Sequence, residues 1–289
     1  MSNSNQAGSG SCAVGRVQPY PIDDRLPLVL RTAHSSSPSN DIMHPIAAKI
    51  MTKRAKFTPD NQKSRIAGIL RALDQAYPHA TCALVHRNGF ELLVATILSA
   101  QCTDELVNLV TRDLFQKYRG ARDFAAVAQE ALEEDIRATG FYRNKAKNIR
   151  GACRMILERF GGKVPDTMEN LVQLPGVARK TANVVLGVIY GKAEGVVVDT
   201  HVFRLSRRLE LTGAETPEKI EADLMSLIPR DKWIAFSHQM IHHGRKICQA
   251  RKPLCAECPV ESICRSEDKL PPGTPVLRGL AGKRAQDRP

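Results

Sequence analysis

The chain has 289 residues, of which 43% are hydrophobic, 25% charged and 5% aromatic. This composition is typical of a globular protein with one large or two modest domains, and it excludes a chain that is disordered throughout. No apolar run reaches the ~18 residues of a transmembrane helix. Lys and Arg outnumber Asp and Glu by 42 to 30, a net charge of +12. That excess suits either a polyanionic partner, most often nucleic acid, or a basic protein without one.

The two ends of the chain differ in composition from its body. Residues 1–60 are rich in Ser, Asn and Pro and show no hydrophobic period, so we predict a disordered leader. Residues 265–289 have the same character, and we predict a flexible basic tail. The N-terminal segment has no basic start leading into an apolar core, so we expect no secretory signal and place the protein in the reducing cytoplasm.

Between these ends, apolar residues recur with the period of α-helices, and we predict an all-α fold. Ile66, Ile69 and Leu73 share one face of a helix that ends near Pro78. Further helices are predicted at 90–100, 103–118, 145–160, 180–190, 200–210, 217–228 and 232–246. The one strand-like run, 195–198, is too short and isolated to support a sheet.

The segment Leu-Pro-Gly-Val-Ala-Arg-Lys-Thr-Ala, residues 174–182, lies between two helical stretches. Pro175 and Gly176 break the first helix, and the free N–H groups at the start of the second point outward with the positive end of its dipole. Such an end binds phosphate through the backbone and reads no base sequence. We therefore predict a phosphate-binding site rather than an ordinary helical corner. Its members are Leu174, Gly176, Val177, Ala178 and Arg179.

Two charged residues near this segment are candidates for catalysis. Lys180 falls in the first turn of the second helix, where the dipole and partial burial would favour the neutral amine. Such a lysine is either a nucleophile for a sugar carbon or a simple phosphate contact, and the charge argument leaves both open. Asp199 follows an apolar run and fits the N-cap of the next helix. Held there, its carboxylate could also accept protons or stabilise a cationic sugar.

Half of the eight cysteines fall within 17 residues: Cys248, Cys255, Cys258 and Cys264. In a reducing compartment such a group predicts a compact metal centre rather than disulfides. Zinc accepts four cysteines, but typically as two Cys-x2-Cys pairs, and only one such pair is present. Arg251 and Lys252 lie within the group and are predicted to contact a nucleic-acid backbone, unless they form a solvated turn.

The hairpin, the Val-Asp-Thr-His segment at 198–201 and the spacing Cys-x6-Cys-x2-Cys-x5-Cys together resemble the helix-hairpin-helix DNA glycosylases, and among them the endonuclease III family. The resemblance extends from about residue 62 to 264. It implies two helical domains with a DNA-binding cleft between them. One is a six-helix barrel at 82–192, and the other, at 61–81 and 193–264, holds a [4Fe-4S] cluster on the four cysteines.

The resemblance also implies roles for single residues. Lys180 matches the catalytic lysine of the family, and Asp199 matches its catalytic aspartate. Gln101 matches the glutamine that fills the gap left by the extruded base, and Phe141 lies where relatives carry an apolar wedge. By residue type alone, Gln101 could be an ordinary surface residue and Phe141 a core aromatic. Ala178 replaces the usual Gly, a change that strains a left-handed backbone but costs little where φ is negative.

We therefore expect a bifunctional DNA glycosylase with AP lyase activity on oxidised pyrimidines. Its partner would be double-stranded DNA with damaged bases or abasic sites, bound by a monomer associated with the nucleoid. One alternative is a monofunctional adenine-type glycosylase, although those relatives lack a lysine at position 180. Another is a non-catalytic DNA-binding module, which the presence of both Lys180 and Asp199 disfavours. A metal-dependent nuclease is disfavoured because no carboxylate cluster suits Mg²⁺.

Overall fold

The computed structural model describes residues 59–270, and within this range the chain is helical and contains no strand. The helices are α1 (Pro59–Ala76), α2 (Gly89–Leu98), α3 (Asp104–Lys117), α4 (Ala121–Ala126), α5 (Gln129–Asp135), α6 (Tyr142–Phe160), α7 (Met168–Leu171), α8 (Arg179–Tyr190), α9 (Thr200–Arg208), α10 (Pro217–Leu227) and α11 (Trp233–Lys246). Short 3₁₀ turns occupy Arg137–Thr139, Arg230–Lys232, Cys255–Glu257 and Glu261–Ile263. The all-α prediction is confirmed.

Every helix predicted from the hydrophobic period is present, and the observed ends differ from the predicted ones by at most three residues. The short helices α4, α5 and α7 were not predicted, because four to seven residues are too few for a helical period to show. None of the helices in the described range is both long and apolar enough to cross a membrane. Most of the predicted leader and residues 271–289 of the predicted tail lie outside the described residues.

Local polar interactions fix where several helices begin and end. Five helices start at a side chain that accepts hydrogen bonds from first-turn N–H groups: Asn88 for α2, Thr103 for α3, Thr167 for α7, Asp199 for α9 and Thr216 for α10. Asp104, the first residue of α3, accepts a hydrogen bond at 2.5 Å from Arg245 on α11. Gly161 and Gly191 end α6 and α8 in the left-handed conformation, with φ of 59° and 62°.

Buried apolar side chains form two separate clusters. The first is built by α2 to α8 and centres on residues such as Leu92, Phe124 and Ile156. The second is built by α1 and α9 to α11 and includes Leu73 and Phe236. The chain passes from the first cluster to the second in the segment between α8 and α9, which contains the predicted catalytic aspartate. The domain boundaries 82–192 and 193–264 themselves stay a prediction.

The start of the predicted tail packs against the second cluster. Arg208 pairs with Asp268 at 2.5 Å, and Lys269 pairs with Glu261 at 2.6 Å. The compact part of the chain therefore continues at least to residue 270, six residues beyond the last cysteine of the predicted metal centre.

Candidate functional site

The predicted phosphate site is the turn between α7 and α8, and α6 packs closely beneath it. Gly176 has φ of +79°, and a Cβ atom there would lie 2.8 Å from Cβ of Asn148, so the turn requires glycine both for its backbone and for space. A Cβ atom on Gly151 would lie 3.1 Å from Cγ of Pro175. These two close approaches hold the turn in one position on α6.

α8 starts without a side-chain cap, because its N-cap residue is Ala178. Ala178 has φ of −88° and ψ of 170°, an extended conformation in which its methyl group causes no strain. Leu174 and Val177 are 2% and 5% exposed, so their side chains belong to the core and they could meet a ligand only through the backbone. Within residues 59–270, no side chain caps the first-turn N–H groups of α8, as a phosphate site requires.

Arg179, predicted to bind DNA, is held by α10, a helix of the second core cluster. Its Nε donates to both carboxylate oxygens of Glu221 on α10, each at 3.1 Å, and its Nη2 donates to the Glu194 carbonyl at 3.2 Å. The buried Glu221 carboxylate also accepts a hydrogen bond at 2.9 Å from Asn183. Gly195 makes room for this group, because a Cβ atom there would overlap Glu221. Glu221 therefore fixes the start of α8 to α10, and Arg179 connects it to the segment that leads to Asp199.

Sequence reasoning missed Glu221, although a signal was present. It lies next to Ile220 and three residues before Leu224, on the face of α10 that faces the core. A charged residue on an apolar helix face is rarely buried without a partner.

Replacing Glu221 by alanine leaves the Arg179 guanidinium and the Asn183 amide without their shared acceptor. We expect the free energy of unfolding, measured by urea titration, to fall by about 3 kcal/mol. Glu158→Ala is the matched control, because this exposed glutamate on α6 has no ion pair with a described residue and should change stability by no more than about 0.5 kcal/mol. Equal losses of unfolding free energy in the two variants would contradict the role given to Glu221.

Lys180 lies in the first turn of α8 and its side chain is exposed. Among the described residues it has no hydrogen-bond or ion-pair partner. The partial burial expected from the sequence is wrong for this structure, because no described element covers the residue. The amine is consequently accessible to a large ligand.

Asp199 is the N-cap of α9, as its position in the sequence predicts. Its Oδ1 accepts hydrogen bonds from the N–H groups of His201 and Val202, at 2.9 and 2.8 Å. No described residue donates to Oδ2, so one carboxylate oxygen is fixed and the other remains available. Burial lowers the pKa of the His201 imidazole, with the Asp199 charge acting in the opposite direction.

Gln101 and Phe141 share an unusual backbone geometry. Both are exposed, and their φ angles are 54° and 49°. Glu210 is the other non-glycine residue with positive φ in the described range. A left-handed conformation costs about 1–2 kcal/mol for such residues, and strain of this kind is often found at functional sites. Phe141 is 63% exposed, which excludes the core-aromatic interpretation.

The four clustered cysteines all line one cavity between α9, α11 and the C-terminal 3₁₀ turns, and none of them is in a disulfide. Burial raises the pKa of the Cys258 thiol to about 12, and burial also raises the pKa of the Cys264 thiol. A coordinating metal ion would stabilise the thiolate forms. Two nitrogen groups face the sulfurs. Arg208 Nη1 donates to Cys248 Sγ at 3.4 Å, and His243 Nε2 lies 3.6 Å from Cys258 Sγ.

Four thiols and two nitrogen donors around one cavity are chemically suited to a metal–thiolate centre. N–H groups directed at ligand sulfurs are typical of iron–sulfur sites, where they tune and orient the ligands. The Tyr77 hydroxyl lies 2.9 Å from His243 Nδ1. In the tautomer that carries the proton on Nε2, the His243 ring accepts a hydrogen bond from the Tyr77 hydroxyl and donates one to Cys258 Sγ. Within residues 61–270, no group of three or more His, Cys, Asp or Glu side chains is placed to hold a metal ion. Arg251 and Lys252 are exposed on the loop beside the cavity.

The fold and these sites match known proteins. A family model described as HhH-GPD superfamily base excision DNA repair protein matches residues 94–230. The endonuclease III of Synechocystis sp. is 57% identical over 206 residues, covering 71% of this chain and 94% of that protein. A non-covalent endonuclease III–DNA complex matches with a TM-score of 0.67 at 47% identity, over 70% of this chain and 95% of that one. A trapped endonuclease III–DNA covalent intermediate, an estranged-adenine complex, has the same TM-score, the same coverage and 48% identity.

A helical fold with this hairpin defines a base excision DNA repair protein of the HhH-GPD superfamily. Within that superfamily, the chain belongs to the endonuclease III family. The resemblance found in the sequence is thereby confirmed, and so is the predicted class of enzyme, a DNA glycosylase. The roles of single residues are not tested by these matches and stay predictions.

Proposed function

We propose that the chain is a bifunctional DNA glycosylase with AP lyase activity, which removes oxidised pyrimidines and nicks the strand 3′ to the abasic site. The observation that carries this proposal is the amine of Lys180, exposed at the uncapped start of α8 and without a partner in the described range. A relative at 48% identity, solved as a trapped covalent intermediate with DNA, supports covalent chemistry. The bacterial relatives support a cytoplasmic enzyme associated with the nucleoid.

In the proposed reaction, unprotonated Nζ of Lys180 attacks C1′ of the deoxyribose, and the glycosidic bond breaks. The base leaves with the bonding electrons and takes up a proton. The sugar ring opens to an iminium ion between Nζ and C1′. A proton leaves C2′, the C3′–O bond breaks, and the phosphate departs in β-elimination. Asp199 stabilises the cationic sugar and moves protons, and water finally hydrolyses the imine and frees the lysine.

Base chemistry requires the damaged nucleotide to leave the helix stack, because its reacting atoms are unreachable there. The N–H groups of the hairpin at 174–180 would hold a phosphate, and Arg251 and Lys252 would add backbone contacts. Gln101 and Phe141 would fill the space that the extruded nucleotide leaves. Phe141 presents a ring that can stack on neighbouring bases.

We propose that Cys248, Cys255, Cys258 and Cys264 hold a [4Fe-4S] cluster. The single Cys-x2-Cys pair favours this over zinc, and the shared cavity and the nitrogen donors Arg208 and His243 are compatible with it. The cluster would supply structural order, fixing the loop that presents Arg251 and Lys252. It would take no part in the reaction steps.

Borohydride reduction tests the proposed chemistry, because it converts an imine into a stable cross-link. The wild-type chain is incubated with duplexes that carry an oxidised pyrimidine, an adenine mismatch or an abasic site. We expect a cross-link and a nick with the first and third duplexes. Base release without a cross-link would instead support the monofunctional adenine-type enzyme, and binding without either product would support a DNA-binding module.

Asp199→Asn keeps the Oδ1 atom that caps α9 but removes the negative charge. We expect kcat for base release to fall by about 10²- to 10³-fold, because charge stabilisation and proton transfer are both lost. The thermal midpoint should stay nearly unchanged, because the cap remains. Asp199→Ala is the comparison and should lose stability as well. An Asn variant with wild-type kcat would show that Asp199 is only a cap.

A further inference from the structure

The two residues proposed to enter the DNA lie on different loops. Gln101 follows α2 and Phe141 precedes α6, and both are exposed with left-handed backbones. A strained conformation persists only where neighbouring structure fixes it. Neither residue has a side-chain hydrogen bond with a described residue, so the fixation must come through the backbone of each loop.

One buried lysine connects the two loops. Lys145, in the first turn of α6, is only 5% exposed, and its Nζ donates to the Leu98 carbonyl at 2.8 Å and to the Thr139 carbonyl at 2.7 Å. Leu98 is the last residue of α2, three residues before Gln101, and Thr139 lies two residues before Phe141. A single ammonium group thus holds the backbones of both loops side by side through charge-assisted hydrogen bonds.

We infer that Lys145 is a positioning residue that couples these loops, so that Gln101 and Phe141 enter the DNA as one unit. The inference rests on the proposed function, in which those two side chains fill the gap. It names a residue outside the proposed catalytic pair and outside every phosphate contact described above.

A buried lysine is unusual at such a position. Lys145 lies four residues before Ile149 on the buried face of α6, where an apolar residue would avoid the cost of burying a charge. No carboxylate in the described range pairs with it, and burial lowers the pKa of its ammonium group. What the ammonium provides, and an apolar side chain cannot, is a simultaneous hydrogen bond to two loops.

The test compares two substrates, only one of which requires extrusion of a nucleotide. A duplex with an oxidised pyrimidine requires extrusion, whereas a single-stranded oligonucleotide with an abasic site does not. Lys145→Met removes the ammonium and keeps much of the side-chain length. We expect kcat/KM on the duplex to fall about 30-fold or more, because misplacing positioning groups by an ångström has effects of this size. Nicking of the single strand should fall by less than about threefold. Equal losses on both substrates would overturn the inference.

Two control variants distinguish an effect on loop positioning from a loss of folding stability. Ile149→Ala, one turn further along α6 and fully buried, weakens the same core without touching either carbonyl, and should affect both substrates equally. Lys145→Arg retains N–H donors and should recover part of the duplex activity. If Lys145→Met does not fold, the Arg variant decides. A duplex rate that falls more than the single-strand rate in Lys145→Arg, while Ile149→Ala keeps the wild-type ratio of the two rates, supports the inference. An unchanged ratio in Lys145→Arg contradicts it.

Two further measurements do not depend on that ratio. In the Gln101→Ala/Phe141→Ala background, Lys145→Met should have little further effect on the duplex rate, because its contribution passes through those side chains. Fluorescence of 2-aminopurine opposite a stable abasic analogue reports insertion without any reaction, and Lys145→Met should reduce the signal change at saturating protein. A fully additive rate loss or an unchanged fluorescence response would contradict the inference. Absence of nicking by the wild type, with the fluorescence effect present, would contradict the proposed lyase activity alone.

Discussion

Lys180→Ala should lose strand nicking and the borohydride cross-link, with rates at least about 10³-fold below wild type, because the only proposed nucleophile is gone. The fold should be unaffected, because Lys180 is exposed and has no partner among the described residues. Thermal unfolding should therefore agree with wild type within the ~0.5 kcal/mol typical of surface substitutions. Binding to duplex with a stable abasic analogue should weaken only slightly, since one cation among many contacts is lost.

Two variants make this prediction specific. Lys180→Arg keeps the positive charge, but a guanidinium does not deprotonate and cannot form the imine, so it should bind DNA and give no cross-link. Lys219 is an exposed lysine in the first turn of α10, the counterpart of Lys180 in another helix. Lys219→Ala should cross-link like wild type. A cross-link that persists in both Lys180 variants would assign the nucleophile elsewhere.

The long helices could be predicted from the sequence because each carries its own apolar stripe. The helix at 145–160 begins three residues earlier than predicted, at Tyr142, since its N-cap is the left-handed Phe141 rather than a polar capping residue. No sequence rule marks such a start, because the conformation depends on the neighbouring loop. The helices of four to seven residues depend on tertiary packing and leave no period of their own.

The residues of the candidate site also differ in whether the sequence predicts them. Lys180 and Asp199 attract attention because of their chemistry and their local positions at helix starts. Lys145 and Glu221 act through partners far away in the chain: Leu98 is 47 residues from Lys145, and Asn183 is 38 residues from Glu221. No regular spacing in the sequence predicts pairs of this kind. What the sequence does contain is a charged residue on an apolar face, which predicts burial with a partner but does not identify the partner.

Cys258→Ala should remove the cofactor proposed for the C-terminal loop. We expect bound iron to fall from about four atoms per chain to nearly none, because a cluster of this kind needs all four thiolates. Metal binding contributes strongly to the folding of small loops, so the thermal midpoint should fall by more than about 10 °C. Arg251 and Lys252 would then lose their fixed positions, and affinity for undamaged duplex should fall and depend less on salt concentration.

Cys153 provides the matched control for this substitution. It is 1% exposed in the first core cluster, whereas Cys258 packs against the second, and burial raises the pKa of Cys153 to about 12. Cys153→Ala should keep all its iron and lose only about 1 kcal/mol of stability, the cost of a small cavity. Iron and acid-labile sulfide are measured in both variants alongside zinc. One zinc per wild-type chain, or iron retained by Cys258→Ala, would contradict the cluster. If iron is lost while DNA affinity is unchanged, the cluster does not order the basic loop, and Arg251 and Lys252 make no backbone contact that depends on it.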